Sequence, residues 1–560
     1  MKTIIKVKHL NETISKTLSK LSEEKIVERI WNKDYTVWND DPEEISNRLG
    51  WLDSIENTTK VISEIKEFVQ SVIKDGFTHV LLMGMGGSSL APEVFRLTFG
   101  VKDNFLDLDV IDSTYPEAVK EYSDRLEFEK TLFIVSTKSG GTVETISFMK
   151  YFYNKTIKAL GNEKAGEHFI AITDPSSGLE DMAKELNFRK IFLNDPNIGG
   201  RYSALSLFGM VPAALVGIDL NQFLKRTQMM VEECKINESN SAAELGVILG
   251  VLANEGIDKL TFVASPQIKY LGAWIEQLVA ESTGKNGKGI LPVDLEELLT
   301  PEFYSTDRLF IYIKMKNDST YNKQINVLKN AGLPTIEIEL TDIYDLGREY
   351  FRWEFATVVA GWVLGIQPFD QPNVESAKIV ARKMMSEFKE KGKLPESKAN
   401  FREGGISVSG NIKSNNLRDS LNEFLQNATE GKSYVAIQAY LKPEKETSDQ
   451  LHKIRVILQK QFKVATTVGY GPRFLHSTGQ LHKGDSGNGI FIQIIGDPNE
   501  DLPIPDEPKS DKSSISFRVL IKAQAMGDKE ALIENNRQVI TIDLGKDIKR
   551  GLEFLRSAIL

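Results

Sequence analysis

Short apolar runs alternate with longer amphipathic stretches along the chain from residue 78 onward. The runs at 78–84 ("THVLLMG") and 131–137 ("TLFIVST") have the length and composition of strands buried on both faces. Each is followed by a stretch typical of a helix. Strands that alternate with helices predict a parallel sheet covered by helices on both sides. The same pattern predicts further strands at 105–112, 168–174 and 190–195, and helices at 91–99, 116–126, 142–160 and 178–187.

The alternation returns in a second series, after helices at 202–254, and again near the C-terminus. The second series has strands at 259–265, 308–314 and 335–340, and helices at 270–282, 320–332 and about 343–365. Residues 391–416 are rich in Lys, Gly, Ser and Asn, which predicts a linker. A third, smaller α/β unit follows, with a helix at 448–462 and apolar runs at 434–441, 463–469, 489–495 and 516–525. Its acidic, proline-rich stretch at 497–514 is predicted to be a mobile loop.

These patterns divide the chain of 560 residues into four parts. We expect an N-terminal helical arm over 1–60, a first doubly wound domain over 61–235, a second over 236–395 and a C-terminal α/β unit over 396–560. The fold class is therefore α/β, with two doubly wound parallel sheets and a smaller third unit.

Composition excludes several classes of partner. The net charge is −9, and no block of lysines or arginines is present, which argues against a nucleic-acid surface. The longest nearly apolar run, 355–366, is too short for a membrane span of about 20 residues. The N-terminus is too polar for a signal peptide. The single cysteine, Cys234, allows no internal disulfide, so we expect a cytoplasmic protein without nucleic-acid or membrane partners.

A glycine-rich break follows the first strand, in "LLMGMGGSSLAPEV" at 81–94. Gly84, Gly86 and Gly87 do not form the dinucleotide fingerprint, because that motif needs a third glycine three residues after the second. Taken alone, the break is weak evidence, because a simple turn explains it as well as a phosphate loop does.

A second loop, "STKSGGTVET" at 136–145, lies between a strand and a helix N-terminus. Hydroxyl groups, free backbone N–H groups and the helix dipole together form an anion site. No Gly-Lys-Ser/Thr follows a four-residue spacer, so a monophosphate fits better than a magnesium–nucleotide complex. A polar turn with a good helix cap explains the loop equally well when it is taken alone. Its hydroxyl and cationic residues are Ser136, Thr137, Lys138, Ser139, Thr142 and Thr145.

A third loop, "DPNIGGRYSALSLFG" at 195–209, presents Arg201 directly after two glycines. Arginine suits a developing anion because its planar guanidinium stays charged. An ion-pairing arginine at a helix start is the simpler interpretation when this residue is considered alone.

Six motifs between residues 84 and 484 together resemble signatures of the phosphoglucose isomerase family. They are "GMGGSSLAP", "STKSGGTVET", "GGRYS", "EQLVAESTGKNGKG" at 276–289, "PFDQPNVESAK" at 368–378 and "FLHSTGQLHKG" at 474–484. Asn373 stands where bacterial members usually have glycine. The sequences of these motifs are most similar to the isomerase half of transaldolase–phosphoglucose isomerase fusion proteins. The similarity includes "RIWNKDYTVWNDDP" at 29–42, although no transaldolase region is present.

The resemblance implies two sugar-isomerase (SIS) domains that share one active site and interconvert glucose 6-phosphate and fructose 6-phosphate. In that family the sugar ring opens, a base removes the proton α to the carbonyl, and a cis-enediol forms before the proton returns to the neighbouring carbon. No metal or organic cofactor is implied, and the six histidines show no metal-ligand spacing. The resemblance also implies a homodimer, for which the apolar helices at 202–217 and 351–366 could provide the interface.

The resemblance carries roles onto individual residues of this chain. Glu281 matches the proton-shuttling base, and Arg201 matches the arginine that stabilises the enediolate. Lys378 matches the lysine that assists ring opening with a histidine. A solvated helix-end glutamate and a solvated helical lysine are the plain alternatives. The matching substrate and phosphate contacts are Gly87, Ser88, Thr137, Lys138, Ser139, Thr142, Gln277 and Gln371.

The histidine departs from the family pattern. In ordinary members the His-Ser-x-Gly-Gln motif precedes Phe-Asp-Gln, whereas His476 follows residues 369–371 here. The stretch 300–312, where the histidine would normally fall, contains none. We expect the third unit to deliver His476 to the site, from the same or a neighbouring subunit. The alternative is that His476 has only a structural role. His482 is a second candidate for the ring-opening histidine.

Three other functions are weighed against the isomerase. A non-catalytic sugar-phosphate sensor would lack the base or the arginine, but both Glu281 and Arg201 are present. An amino-sugar isomerase of the glucosamine-6-phosphate synthase type would bring an N-terminal cysteine nucleophile, but the only cysteine is at 234. Activity on mannose 6-phosphate stays open because it depends on pocket shape near Gln277 and Glu281.

Overall fold

The computed structural model describes residues 1–395 and 398–559. The N-terminal segment packs along the rest of the chain, and its indoles donate to distant carbonyls, Trp31 Nε1 to Cys234 and Trp38 Nε1 to Val358, both at 2.8 Å. It was predicted to be helical, but its first residues form a strand that pairs antiparallel with the edge of a later sheet. Its elements are β1 (Lys2–Ile4), α1 (Lys8–Glu23), α2 (Ile26–Trp31) and α3 (Ser54–Lys74).

The first sheet has five parallel strands in the order β3-β2-β4-β5-β6. Its central strands are buried on both faces, as their unbroken apolar sequences require. The elements are β2 (His79–Gly84), α4 (Leu90–Phe99), β3 (Asp107–Ile111), α5 (Pro116–Arg125), β4 (Thr131–Ser136), α6 (Val143–Leu160), α7 (Asn162–Ala165), β5 (Phe169–Thr173), α8 (Gly178–Glu185) and β6 (Lys190–Leu193).

The second sheet has the order β1-β10-β9-β7-β8, and all of its strands except β1 run parallel. The predicted α/β class with parallel sheets is thus confirmed. The elements are α9 (Leu207–Leu215), α10 (Leu220–Cys234), α11 (Ser241–Asn254), β7 (Lys259–Ala264), α12 (Leu271–Thr283), β8 (Leu291–Val293), β9 (Arg308–Met315), α13 (Asn322–Asn330), β10 (Thr335–Leu340), α14 (Leu346–Leu364) and α15 (Val374–Lys391).

The third sheet has six strands in the order β11-β12-β18-β15-β13-β14. The strands from β18 to β14 pair parallel, whereas β12 pairs antiparallel with both β18 and β11. The elements are β11 (Phe401–Glu403), β12 (Ile406–Gly410), α16 (Leu417–Leu425), β13 (Tyr434–Tyr440), α17 (Lys445–Phe462), β14 (Ala465–Tyr470), α18 (Gly479–Gly484), β15 (Gly489–Ile495), β16 (Pro503–Ile504), β17 (Ile515–Ser516), α19 (Phe517–Glu534), β18 (Gln538–Asp543) and α20 (Ile548–Ile559).

The structure defines three stretches of the third unit more closely than the sequence pattern does. The apolar run at 516–525, to which the pattern assigned no element type, forms the start of helix α19, because Phe517, Leu520, Ile521 and Gln524 have helical spacing and are all buried. The predicted linker contributes β11 and β12, while its residues 396 and 397 lie outside the described residues. The predicted mobile loop carries the β16–β17 hairpin, which contacts lysines of α6.

The apolar helices proposed for a dimer interface lie inside this chain. Residues 202–216 and most of 351–364 are buried within one copy, where α14 packs against α10, α11 and α12. A helix that is apolar all round belongs in a core. The suggestion that these two helices form a subunit interface is therefore wrong. No helix in the described ranges has the length and apolar character of a membrane span.

Candidate active site

The glycine break after β2 is a packing junction. A Cβ on Gly87 would lie 1.9 Å from the carbonyl oxygen of Gly200, so only glycine lets this loop touch the loop that carries Arg201. Gly86 has a φ of +55°, and its Cβ would lie 2.8 Å from both Gln277 Nε2 and the His476 carbonyl oxygen. The glycine break therefore touches residues of all three units: the Gly200 loop of the first, Gln277 on α12 of the second and His476 of the third.

Arg201 is held by several acceptors at once. Its Nε donates to Ser282 Oγ at 2.8 Å and its Nη1 to Gln371 Oε1 at 2.9 Å. Its Nη2 donates to the carbonyl oxygens of Pro368 at 2.8 Å and Asp370 at 3.0 Å. The side chain is 3% exposed. These contacts fix the guanidinium plane independently of any carboxylate partner.

Glu281 faces this guanidinium from the last turn of α12. Its Oε1 lies 3.3 Å from Arg201 Nη1, and 14% of the side chain is exposed. Gln277, one helical turn earlier, donates from Nε2 to Glu281 Oε2 at 3.1 Å and to the His476 carbonyl oxygen at 2.8 Å. The structure thus places the predicted base, arginine and both predicted glutamines, Gln277 and Gln371, in one cluster.

Lys285 joins this cluster although the sequence analysis did not assign it. Its Nζ donates to the Asp370 carbonyl oxygen at 2.6 Å and to Asp370 Oδ1 at 2.7 Å. Burial and the charge of Arg201 lower the pKa of Lys285 to about 8, against the opposing effect of Asp370. This lysine fixes the segment whose carbonyl and amide oxygens hold Arg201. The signal was its position in "ESTGK", four residues after Glu281.

His476 reaches the first sheet from the third unit of the same chain. It lies at the end of a short turn after β14, and its Nε2 is 3.0 Å from Glu144 Oε1 in the first turn of α6. Burial opposes the charged form of Glu144, but the charge of His476 and its hydrogen bond outweigh that effect and hold the pKa of Glu144 below its usual range. The sequence analysis quoted Glu144 inside its loop without assigning it a role.

Two further residues hold Glu144. Gln524 of α19 donates from Nε2 to the same Glu144 Oε1 at 2.7 Å, and Thr114 Oγ1 donates to Gln524 Oε1 at 2.8 Å. All three side chains are buried. The carboxylate that faces His476 is therefore fixed from the first and third units together.

His482 lies in the core of the third unit. It is 2% exposed, and its ring centroid is 5.0 Å from that of Phe491. Burial and the charges of Lys483 and Arg537 lower the pKa of His482 well below its usual value. Of the two competing histidines, only His476 lines the cavity described below.

The predicted phosphate loop precedes α6. Thr137 Oγ1 and Thr142 Oγ1 are 3.0 Å apart, and residues 139–142 line a cavity. Lys138 turns away from that cavity, since its ammonium contacts the Asp174 carboxylate and donates to the Pro196 carbonyl at 2.7 Å. At the first glycine loop, the Ser88 carbonyl accepts from Ser136 Oγ at 3.1 Å.

The cavity has a volume of about 740 Å³ and lies between α6 and α15. Lys378, His476 and Glu144 line it beside the phosphate loop. Lys378 is about half exposed and lies 3.9 Å from Glu375. Arg201 and Glu281 are not among its walls, but Gln277 links them to it, because its Nε2 donates both to Glu281 and to the carbonyl oxygen of the wall residue His476. The cavity therefore holds only part of the predicted site.

The His-Ser-x-Gly-Gln motif also fastens the third unit to this site. Gln480 Nε2 donates to the Gly284 carbonyl at 2.9 Å and to Asn373 Oδ1 at 2.8 Å, while Asn373 N donates to Gln480 Oε1 at 2.9 Å. Glycine at 373 could not accept from Gln480 through a side chain. The asparagine that departs from the family pattern thus anchors the start of α15 to the motif.

Glu276 neighbours this cluster on α12. Its pKa is raised to about 8 by burial and by the nearby Asp294 carboxylate, against the charges of Arg473 and Arg455. The folded protein therefore keeps this proton through a pH range in which an unfolded glutamate has lost it, so stability falls as the pH rises from about 5 to about 8.

Glutamine has no proton to lose, so Glu276→Gln is expected to remove this loss of stability. The melting temperature should match that of the wild type at pH 5 and exceed it at pH 8 by about 2–4 °C. Thermal melts followed by circular dichroism at both pH values test this. Glu12→Gln, on the exposed surface of α1, is the control. An equal difference at both pH values would contradict the pH dependence.

Comparison with known proteins gives one family. The sequence profile described as phosphoglucose isomerase matches residues 41–291. The probable glucose-6-phosphate isomerase of Methanococcus maripaludis is 26% identical over 385 residues, which cover 61% of this chain and 85% of the relative. The glucose-6-phosphate isomerase of Campylobacter jejuni is 25% identical over 384 residues, which cover 61% of this chain and 93% of that protein.

Residues 41–291 of this chain match the phosphoglucose isomerase family. Solved structures agree on the fold. A hypothetical protein from Thermus thermophilus gives a TM-score of 0.58 at 22% identity, covering 68% of this chain and 99% of that one. A glucose-6-phosphate isomerase from Chlamydia trachomatis gives 0.56 at 18% identity, covering 67% and 86%. The family profile ends at residue 291, before His476, so it does not include the third unit.

Some predictions stay predictions. No comparison tests the domain boundaries, the similarity to a transaldolase fusion or the roles of individual site residues. Across residues 1–395 and 398–559, no group of three or more His, Cys, Asp or Glu side chains could hold a metal ion.

Proposed function

We propose that this protein interconverts glucose 6-phosphate and fructose 6-phosphate by proton transfer between C1 and C2. The single observation that carries the proposal is the carboxylate of Glu281, accessible and 3.3 Å from the guanidinium of the otherwise fixed Arg201. A base beside a preorganised cation is what enediolate formation requires. Relatives of this chain that carry the name glucose-6-phosphate isomerase support the same activity.

The reaction divides between the cavity and the Arg201–Glu281 pair, which Gln277 links. On the cavity side, His476 and Lys378 move the protons that open the ring. On the other side, Glu281 takes the C2 proton of the aldose and returns it to C1. Arg201 stabilises the negative charge on the enediolate oxygen. Gln277, in contact with both sides, orients the carboxylate.

The phosphate group would bind residues 139–142 at the N-terminus of α6. The helix dipole, the hydroxyl groups and the backbone N–H groups there all favour an anion. Ser88 and Gly87 would contact the sugar phosphate from the other loop. Because Lys138 is held by Asp174 and Pro196, we assign it an indirect role, fixing the loop rather than touching the phosphate.

Thr142→Val is expected to raise KM for glucose 6-phosphate about tenfold and to leave kcat within a few-fold, because a phosphate hydrogen bond serves ground state and transition state alike. Steady-state kinetics test this. Thr145→Val is the matched control, since the Thr145 hydroxyl is buried on the same helix without a hydrogen-bond partner. Unchanged KM in Thr142→Val would remove this residue from the phosphate site.

Gln524→Met is expected to lower turnover of cyclic substrate about tenfold and to shift the pH profile, because Glu144 loses a hydrogen bond and then pairs differently with His476. A purely structural defect would not shift that profile. Gln459→Met, equally buried in α17 outside the site, is the control. A loss of turnover without a pH shift would contradict a positioning role for Gln524.

Deuterium exchange tests the proposed function as a whole. Incubation with glucose 6-phosphate in deuterated water should place deuterium at C2 of the recovered aldose and at C1 of the ketose. Binding without exchange or conversion would favour a sugar-phosphate sensor. Mannose 6-phosphate is tested in parallel, and its conversion to fructose 6-phosphate would show a bifunctional isomerase, which no present observation favours.

We also propose a cytoplasmic homodimer, supported by the family resemblance and by the free, buried Cys234.

A further inference from the structure

The cavity extends well beyond the phosphate loop. It runs between α6 and α15 to the β16–β17 hairpin, where Lys150, Lys389 and Asp506 line its far end. Lys150 follows Val143 by seven residues of helix, which corresponds to about 10 Å along the axis. Lys389 follows Lys378 on α15 by eleven residues, which corresponds to about 16 Å along that axis. The groove therefore has two separate ends.

Two ammonium groups, those of Lys150 and Lys389, line the far end together with Asp506. Lys150 donates to the Asp506 carbonyl and lies 3.6 Å from the Glu507 carboxylate, which is 74% exposed and easily displaced. No carboxylate of the described residues lies within ion-pair distance of Lys389. Hydrogen bonds from Ser514 lower the pKa of Asp506, and the charges of Lys389 and Lys150 lower it further, so both lysines lie beside the same hairpin residue.

The proposed substrate leaves this end empty. Its phosphate would occupy residues 139–142, and its sugar would extend toward Glu281, which is not a wall of the groove. Apolar side chains, including Ile146, Met385 and Leu520, line the middle of the groove. An apolar trough between two anion-attracting ends fits a small organic molecule with a charged group at each end.

We propose that the far end, formed by Lys150 and Lys389, is a second phosphate subsite. A sugar bisphosphate, with phosphates at opposite ends of a hexose, would bridge the phosphate loop and this subsite. Because it occupies the loop, it competes with the substrate. The inference rests on the proposed function only for phosphate binding at the loop. The position of Lys150 and Lys389 at the far end of the cavity does not depend on that function.

Calorimetry with two ligands that cannot open their rings tests this. Glucose 1,6-bisphosphate and methyl glucoside 6-phosphate differ in the second phosphate. The bisphosphate should bind the wild type at least about tenfold more tightly at low ionic strength. Lys150→Met and Lys389→Met should each reduce that advantage several-fold. Lys391→Met, on the same helix but paired with Glu387 at 3.2 Å, should retain it.

Equal affinities of the two ligands in the wild type would overturn the subsite, as would an advantage that survives both variants. Titration with inorganic phosphate tests the subsite without a bridging ligand. The wild type should bind two phosphates per chain, and Lys389→Met should bind one. Turnover of glucose 6-phosphate, measured in the same variants, should be unchanged. An inactive protein with the bisphosphate advantage would refute the proposed function but not this inference.

Discussion

Glu281→Gln is expected to reduce turnover of glucose 6-phosphate by about a thousandfold or more, while KM changes by only a few-fold. Glutamine keeps the shape and the acceptor oxygen of the side chain but cannot take a proton from carbon. Binding contacts made by the phosphate loop and Gln371 are untouched. Only the step that moves the C2 proton loses its base, and steady-state kinetics together with deuterium exchange report that step directly.

This substitution is not expected to unfold the site. Arg201 keeps its hydrogen bonds to Ser282, Gln371, Pro368 and Asp370 when the Glu281 charge is removed. A buried guanidinium that retains these acceptors avoids most of the cost of an uncompensated charge. The melting temperature of the variant should therefore stay close to that of the wild type.

Glu276→Gln is the matched control, because Glu276 lies on the same helix and its raised pKa of about 8 keeps it largely protonated at neutral pH. A glutamine there replaces a mostly neutral side chain, so turnover at pH 7 should stay within about threefold of the wild type. If Glu281→Gln and Glu276→Gln lost activity equally, or if Glu281→Gln raised KM as much as it lowered kcat, Glu281 would be structural rather than the base.

The sequence predicted the parts of the fold that depend on local pattern. Unbroken apolar runs followed by helices identified β2, β4, β7 and β9, because strands buried on both faces need apolar side chains throughout. It missed β1, whose three residues are a strand only because the edge of the second sheet is there to pair with them. It left the start of helix α19 without an element type, since an apolar stretch of ten residues fits either a strand or a helix.

The candidate site was predictable residue by residue but not as an arrangement. Motifs identified Glu281, Arg201 and His476, yet Glu144 and Gln524 meet across 380 positions of the chain. Such contacts follow from how the units pack, which no local pattern encodes. Asn373 illustrates the point, since it looked like a departure from the family until its hydrogen bonds to Gln480 explained it.

The position of His476 in the chain has a physical consequence. Its ring meets Glu144 across 332 positions, so the histidine that we propose opens the sugar ring reaches Glu144 only when the third unit has packed against the first. Its carbonyl also receives the hydrogen bond from Gln277, which in turn holds Glu281. The third unit therefore supplies a side chain that contacts Glu144 and a backbone acceptor for Gln277, and under the proposed function these serve different steps of the reaction.

His476→Asn separates these two contributions, because it removes the imidazole and leaves the carbonyl that accepts from Gln277. Turnover of cyclic glucose 6-phosphate is expected to fall by about a hundredfold, the usual worth of a positioned acid or base. An analogue that lacks its ring-forming hydroxyls reaches Glu281 without ring opening, so its turnover should fall by no more than a few-fold. The ratio of the two rates is the measurement.

His452→Asn is the control for this ratio, since His452 is an exposed histidine of α17 outside the site and should leave both rates unchanged. Gln524→Met should change the ratio in the same direction as His476→Asn but by less, because it disturbs Glu144 without removing the imidazole. Equal losses on the cyclic and the open-chain substrate would contradict ring opening by His476. In that case the histidine would act by holding the third unit in place, and Glu281 would lose its orientation together with it.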